Sequence, residues 1–345
     1  MQLRRPGLSR RRFLALAGTT AALASIPLTN VLSATDGTET ATARFGGLTP
    51  NERFYVTSYS GTPAIDPAQW TLKIHGLVNH PRILTYAEIR RLPAITQVLT
   101  LECISNPPDG DAISTARWTG TRLKPILDEA GIRPQAKFAL MRAADGYYTS
   151  VPLSEIIREE NWMPYLMNGV ALPSAHGFPV RIFIPGKYGM KQPKWLTEIE
   201  FIDHEYQGYW EARGWSDEAW RKVNSGFFSP RPSGGILDIL SLRTTARVSG
   251  PTDIYGWALA GPSGIKRVEV SPDGGRNWSL AQIISNASPY VWTVWKYHFA
   301  PPRAGDYTIR VRATDGNGTT QPPSDPQMGA GMSGQPQLRI QVDRA

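Results

Sequence analysis

Hydrophobic and polar positions change their spacing at two places in this chain, and those changes divide it. From Phe54 to about Gln207, short alternating runs are interleaved with short amphipathic pieces. "WTLKIHGLV" (70–78) alternates and predicts a strand. "TYAEIRRL" (85–92) opens on Thr85 with Glu88 three residues on, a capping-box pattern that predicts a short helix. "TRLKPILDEAG" (121–131) is amphipathic and stops at Gly131, a residue that ends helices without steric penalty. "QVLTLEC" (97–103), "VRIFIPG" (180–186) and "LTEIEFID" (196–203) are apolar and β-rich, and read as strands. Strands mixed with short helices predict an α+β domain over residues 51–228.

Residues 207–242 change character. "GYWEARGWSDEAW" is aromatic and charged, "GFFSPRPSGGI" is rich in Pro and Gly, and the stretch reads as an interdomain crossing. After it come seven strand-like runs: "TARVSG", "DIYGWALAG", "IKRVEVS", "NWSLAQI", "YVWTVWKYHF", "GDYTIRVRATD" and "QLRIQV". Their spacing predicts an all-β immunoglobulin-like sandwich at 229–345, with a hairpin at "SPDGGRNW" (271–278). A length of 345 residues accommodates two such domains. No stretch after residue 35 is long and apolar enough to span a bilayer.

Charge adds little once its origin is traced. The net charge is +8, but residues 1–34 hold Arg4, Arg5, Arg10, Arg11 and Arg12 and no acid. Without those five, 32 basic residues face 29 acidic ones, a balance of +3 that gives no case for nucleic acid. The same N-terminus reads as a targeting signal. A basic stretch precedes an Ala/Leu-rich apolar run, and Ser9-Arg10-Arg11-Arg12-Phe13-Leu14 matches the twin-arginine pattern S-R-R-x-F-L. An ordinary secretory signal or an uncleaved anchor is the alternative. The expectation is a twin-arginine signal at 1–34, a polar Gly/Thr-rich linker at 35–50, and a periplasmic or extracytoplasmic location.

Export makes the single cysteine informative. An exported chain with one cysteine has no internal disulfide to make, which leaves a reactive thiol, an intermolecular bond or an inert core residue. Cys103 ends a predicted strand and opens onto "ISNPPDGD", a loop dense in Asn, Pro, Asp and Gly. A thiolate presented in that way is a soft ligand suited to a metal.

At these residues the chain resembles the sulfite oxidase family of molybdopterin enzymes, from roughly Phe54 to the C-terminus. "ECISNP" stands where the family has a motif close to ECAGNR, and keeps Glu102, Cys103 and Asn106. "AISTARWTG" (112–120), "LMNG" (166–169), "HGFPVR" (176–181) and "PGKYGMKQPKWL" (185–196) also match, in order. "GWALAG" and "VEVSPDGGRNW" resemble the family's dimerisation domain. The resemblance implies a molybdopterin-binding catalytic domain followed by a dimerisation domain, with Mo-molybdopterin as cofactor and Cys103 as its metal ligand. It further implies cofactor contacts at His176, Arg181, Gln192, Pro193 and Lys194, a pterin-amine acceptor at Asp145, and a covering loop at Tyr55, Thr57, Ser58 and Tyr59. Tyr165 matches a family tyrosine near the metal. Lys187 and Lys191 read as solvated surface lysines, and Trp195, Trp210, Trp215 and Trp220 as packing residues.

The substrate is where the pattern departs. Sulfite oxidases surround their anion with arginines. This chain has Pro107-Pro108, Thr57 and the "AGPSGI" stretch at the corresponding places, and a shorter loop after Cys103 that omits a family tryptophan. Arg117 is the one replacement in view. Two-electron oxygen-atom transfer on a different or neutral substrate, such as a sulfoxide or N-oxide, is therefore the expectation, with sulfite dehydrogenation as the alternative. A single Cys excludes a C-x-x-C-H haem attachment, so electrons need a separate partner such as a cytochrome or membrane subunit. A homodimer is possible through the second domain. An exported binding or adhesion module is the non-enzymatic alternative, and the absence of a G-x-S-x-G elbow argues against a serine hydrolase.

Overall fold

The computed structural model describes residues 47–231 and 245–343, except Ala287 and Pro326. The twin-arginine segment, most of the 35–50 linker and part of the 207–242 crossing lie outside the described residues. The end of the linker is anchored: the Thr49 N–H donates to Thr115 O at 2.7 Å, and the Thr49 hydroxyl accepts from the Thr115 N–H at 3.2 Å. Among the described residues no helix is long and apolar enough to cross a membrane.

In chain order the first domain comprises β1 (Thr71–Gly76), β2 (Arg82–Thr85), α1 (Tyr86–Arg91), β3 (Ala94–Glu102), β4 (Ile113–Arg122) and α2 (Lys124–Ala130). It continues with β5 (Phe138–Ala143), β6 (Tyr148–Pro152), α3 (Leu153–Ile156), β7 (Trp162–Met167), β8 (Val170–Ala171) and β9 (Leu196–Ile202). One sheet has the order β2-β1-β9-β5-β6, antiparallel except for the β1–β9 pair; the other is the antiparallel β3-β4-β7-β8. The alternation in β1 sends Leu72 and Ile74 inward and Lys73 outward. The capping box forms at α1: the Thr85 hydroxyl accepts from the Glu88 N–H, and Glu88 accepts from the Thr85 N–H. Gly131 ends α2 at φ 64°.

β3 is amphipathic at first and then buried on both faces over Leu99, Thr100, Leu101 and Glu102. A second layer covers that end, because the strand runs under the C-terminal domain. The Thr100 N–H donates to Tyr290 O at 3.0 Å, and the Thr100 hydroxyl accepts from the Trp292 N–H at 2.9 Å.

"VRIFIPG" (180–186) is buried as its composition demands, but it is not a strand. Its only ladder-type contact is the Phe183–Trp162 bridge. Its other main-chain groups find scattered partners: Arg181 N–H on Pro164 O at 3.3 Å, Ile182 N–H on Pro193 O at 3.1 Å, Ile184 N–H on Gln192 Oε1 at 3.3 Å, and Val180 O under Leu196 N–H at 3.0 Å. Buried backbone must be satisfied, and here these partners do what a sheet would do.

The second domain comprises β10 (Asn224–Ser229), β11 (Thr245–Val248), β12 (Thr252–Leu259), β13 (Ile265–Ser271), β14 (Ser279–Leu280), β15 (Gln282–Ser285), β16 (Thr293–Phe299), β17 (Gly305–Asp315) and β18 (Gln337–Val342). They form two sheets, β10-β12-β16-β15 and β11-β18-β17-β13-β14. Phe227, Ile254 and Trp295 of one meet Val268, Val311 and Ile340 of the other in a single core. β10 pairs with β12, so Asn224–Ser229 belong to the same sheet as the strands that follow.

Gly256 of β12 sits opposite Trp295 of β16, and a Cβ there would overlap the Trp295 ring and the Gly226 carbonyl oxygen. Gly256→Ala should cost about 1–3 kcal/mol by overpacking and lower the midpoint of thermal unfolding. Gly250→Ala, which meets open space, should stay within about 0.5 kcal/mol of the parent. Equal melting of the two variants would contradict this packing account.

Candidate active site

Cys103 leaves β3 half-buried, at the point where the ladder with β4 ends. Its N–H donates to Ala112 O at 2.9 Å, and its carbonyl accepts from the Asn106 N–H at 2.9 Å. The Asn106 side chain closes the loop, accepting from the Ala112 N–H at 3.0 Å. Sγ lies 3.2 Å from the Ser105 hydroxyl. The 54–60 segment crosses beside it. Tyr55 is anchored by its N–H to the Ser114 hydroxyl at 3.2 Å, and burial above all, then the neighbouring Cys103, pushes its phenol pKa up. The 185–196 loop closes the third side: a Cβ at Gly189 would lie 3.4 Å from the Tyr55 hydroxyl and 3.7 Å from the Glu102 carbonyl oxygen.

Next to this loop, two cationic side chains, Arg181 and Lys194, converge with the imidazole of His176. Arg181 is 4% exposed. Its Nη1 donates to His176 O at 3.1 Å, its Nη2 to Gln192 O at 3.4 Å, and its buried Nε has no partner. Burial lowers its pKa to about 10. Lys194 donates from Nζ to Ala175 O at 2.9 Å; burial, helped by the Arg181 charge, lowers it to about 7. His176 is held at Nε2, 3.0 Å from Asn51 O, and burial lowers its pKa too. Gly177 makes the convergence possible. It sits at φ 112°, and its Cβ position is 3.1 Å from the Cβ atoms of both Arg181 and Lys194, so a side chain would wedge them apart.

Among the described residues no carboxylate forms an ion pair with any of the three. The nearest acid in effect is Asp145, which raises Lys194 slightly and whose own pKa rises through burial. Desolvated cations without an anion, one with an orphaned buried N–H, form a receptor for a phosphate-bearing group. A molybdopterin phosphate with pterin polar atoms fits that cradle, and the thiol at Cys103 fits the metal end. Gln192 contributes only main chain to it, since its amide is spent on Ile184 N–H and Lys187 O. Pro193 likewise offers its carbonyl, to Ile182.

Other expected residues fall differently. Thr57 and Ser58 are exposed on the covering segment, and Tyr59 packs on Tyr209 with ring centroids 4.4 Å apart. The segment is tied down by the Ser60 hydroxyl, which donates to Asp145 O at 2.6 Å. Tyr165 is a packing residue of the first core, with the Arg90 guanidinium 5.4 Å from its ring. Tyr147 is the tyrosine that the sequence analysis missed. It is buried, its hydroxyl donates to Met190 O at 2.7 Å, and its pKa is raised by burial first, with Glu211, Asp145 and Cys103 adding. The signal was present: Asp145 accepts from the Tyr147 N–H at 3.0 Å, so a residue picked at 145 brings 147 with it.

Lys187 and Lys191 are not solvated. Lys187 is fully buried against Glu155 at 2.8 Å and Glu218 O at 2.6 Å, with the Trp220 ring 3.8 Å away. Lys191 is 2% exposed, paired with the Glu211 carboxylate and with Ser150 O at 2.8 Å. Each has its counter-charge, as Arg181 and Lys194 do not. Trp195 and Trp215 are buried packing residues. His75, Glu198 and Glu200 also cluster, but Arg142 pairs with both carboxylates, at 3.2 and 2.8 Å, and takes up their charge. Arg117 is exposed opposite Val98 of β3, roughly 16 Å upstream of Cys103 at strand spacing, too far to serve the site.

Comparison with known proteins agrees with this geometry. Residues 59–210 match the model of the oxidoreductase molybdopterin binding domain, and residues 234–344 that of the Mo-co oxidoreductase dimerisation domain. The sulfite oxidase of Gallus gallus is 28% identical over 325 residues, covering 80% of this chain and 68% of that protein. The mitochondrial sulfite oxidase of Drosophila melanogaster is 30% identical over 320 residues, covering 79% and 55%. The uncharacterized oxidoreductase YuiH of Bacillus subtilis (strain 168) is 31% identical over 150 residues, 44% of this chain and 74% of that one. The chain thus spans between about half and two thirds of the length of the sulfite oxidases it matches. Sulfane dehydrogenase SoxCD from Paracoccus pantotrophus shares the fold, with a TM-score of 0.71 at 24% identity over 86% of this chain and 84% of that one. The chain belongs to the sulfite oxidase family of molybdopterin-dependent oxidoreductases.

Proposed function

We propose that this chain catalyses two-electron oxygen-atom transfer on a small neutral substrate, with the Cys103 thiolate as the protein's ligand to molybdenum. The observation that carries the reading is the trio of Arg181, Lys194 and His176, desolvated without an anion, beside the one thiol of the chain. The bound cofactor supplies the redox and oxygen-transfer chemistry. Arg181 and Lys194 would hold its phosphate, the first as a planar fork and the second as a point charge. Asp145 would accept from the pterin amine, and Tyr55, Thr57, Ser58 and Tyr59 would shield the group from water. Tyr147 keeps its proton, because burial and nearby acids disfavour the phenolate, and it stays a neutral neighbour of Cys103.

Substrate charge is decided by what is left over. The two cradle cations, Arg181 and Lys194, are committed to the cofactor. Arg221 is buried, with Nη2 on Thr100 O at 3.0 Å and Nε 3.7 Å from the Glu102 carboxylate. Pro107, Pro108 and Thr57 carry no charge. A sulfite dianion would enter without compensation, which favours a sulfoxide or N-oxide. The second domain is taken as immunoglobulin-like and as the surface of a homodimer, in line with the description of its family model. Residues 1–34 are taken as a twin-arginine address to the periplasm, and a separate cytochrome or membrane subunit as the electron partner.

Steady-state assays with artificial electron carriers test the substrate. Dimethyl sulfoxide or trimethylamine N-oxide should be turned over with kcat/KM about 100-fold above sulfite, the ~2–3 kcal/mol that an uncompensated buried charge costs at least. Efficient turnover of micromolar sulfite would overturn this reading, and Cys103→Ser should abolish all turnover.

Lys194 gives a second test. Its pKa is about 7 in the fold against 10.5 for an ordinary lysine, so between these values the unfolded chain binds the extra proton. Stability of the cofactor-free protein should therefore rise with pH from about 7 to about 10. Lys194→Met should flatten that rise in thermal melts. An unchanged slope would show that Lys194 is solvated.

A further inference from the structure

We infer that the C-terminal domain positions the Cys103 thiol, through a joint between Glu102 and Asn224; as a statement about catalysis this rests on Cys103 being the metal ligand. Asn224 is the first residue of β10 and fully buried. Its Nδ2 donates to Glu102 Oε1 at 2.8 Å, and the same oxygen accepts from Asn106 Nδ2 at 3.1 Å. Asn106 Oδ1 accepts from the Ala112 N–H, and Ala112 O accepts from the Cys103 N–H. A continuous run of hydrogen bonds thus leads from the second domain's sheet to the main chain of the cysteine.

The far end of that run is fixed. Asn224 Oδ1 accepts from the Ser225 N–H at 3.0 Å and from Gln321 Nε2 at 3.3 Å. Gln321 in turn accepts from the Ala313 N–H at 2.9 Å and the Ser225 hydroxyl at 2.6 Å, and donates to Gly334 O at 3.1 Å. Two more ties bracket the cysteine. Upstream, Thr100 is held by Tyr290 and Trp292. Downstream, Asp109, at φ 60°, accepts from the Phe227 N–H at 2.7 Å. The β4 ladder ends at the Glu102–Ile113 pair, and beyond it the loop is held by its own hydrogen bonds and by these ties to the other domain. A domain whose family model is described by dimerisation therefore has a second task here: it is a wall of the catalytic loop.

The chain has one cysteine, so thiol labelling reads this loop alone. The test uses the full cofactor-free chain and 5,5′-dithiobis(2-nitrobenzoate), with Asn224→Asp, Asn224→Ala and, as control, Lys222→Met. The control breaks the interdomain Lys222–Asp325 pair, 2.7 Å long, without touching Glu102. Asn224→Asp sets an oxygen against the Glu102 carboxylate, whereas Asn224→Ala removes the donor to Glu102 together with the acceptor for Ser225 N–H and Gln321 Nε2, so the Ala variant decides if the first does not fold. Both should raise the labelling rate at least about fivefold by opening the loop, with the control within about twofold. In loaded enzyme the Asn224 variants should also shift the thiolate-to-metal absorption. Asn224 variants within about twofold of the parent, or a control that matches them, would overturn the inference. Labelling needs no molybdenum, so a chain that takes up no metal defeats the cofactor reading and leaves the labelling result standing.

Discussion

Among the described residues, Arg181, Lys194 and His176 are drawn out of water on adjoining turns of one loop system without a carboxylate to receive them, and the proposed active site is organised around that unmet demand for an anion. A protein rarely keeps such a group unless a ligand completes it. The contrast with Lys187 and Lys191 makes the point within the same loop. Those two are buried more deeply, yet each reaches a carboxylate, and they hold the loop in shape. Two lysines have a carboxylate partner and Lys194 has none among the described residues, which is what supports the proposed receptor role.

Around this cradle the fold solves a placement problem. The residues proposed for the anion end and the thiol end of the cofactor come from different elements: the 176–194 loop and the exit of β3. The segment at 54–60 and Tyr147 bridge the two. The C-terminal sandwich closes the side that the first domain leaves open, and the burial of Leu99 to Glu102 on both faces records that contact. The domain junction is therefore polar and specific where it meets the cysteine loop, and apolar where Trp292 and Val291 pack with Ile113.

Much of this was legible in the sequence, and the reasons for the gaps are physical. The capping box at Thr85, the stop at Gly131 and the runs that became β11 to β18 depend on local chemistry, which a sequence displays. "VRIFIPG" looked like a strand because apolar composition records burial but not which groups satisfy the backbone. Lys187 and Lys191 looked exposed because their partners, Glu155 and Glu211, lie 32 and 20 residues away. Asn224 carried no signal, since it lies in a stretch that reads as an interdomain crossing. Cys103, His176, Arg181 and Lys194 stand out in sequence because they sit in motifs. Tyr165 also sits in a motif and packs in the first core, whereas Tyr147 sits in no motif and its place near the cysteine comes from the fold.

The central claim is that one thiolate of this chain and one cationic cradle hold molybdenum in its pterin. X-ray absorption at the molybdenum edge of protein matured in a cofactor-supplying host tests it most directly. The account predicts three sulfur neighbours in the parent, two from the dithiolene and one from Cys103, and two in Cys103→Ser. A parent with no bound molybdenum, or with the same sulfur count as the variant, would contradict it.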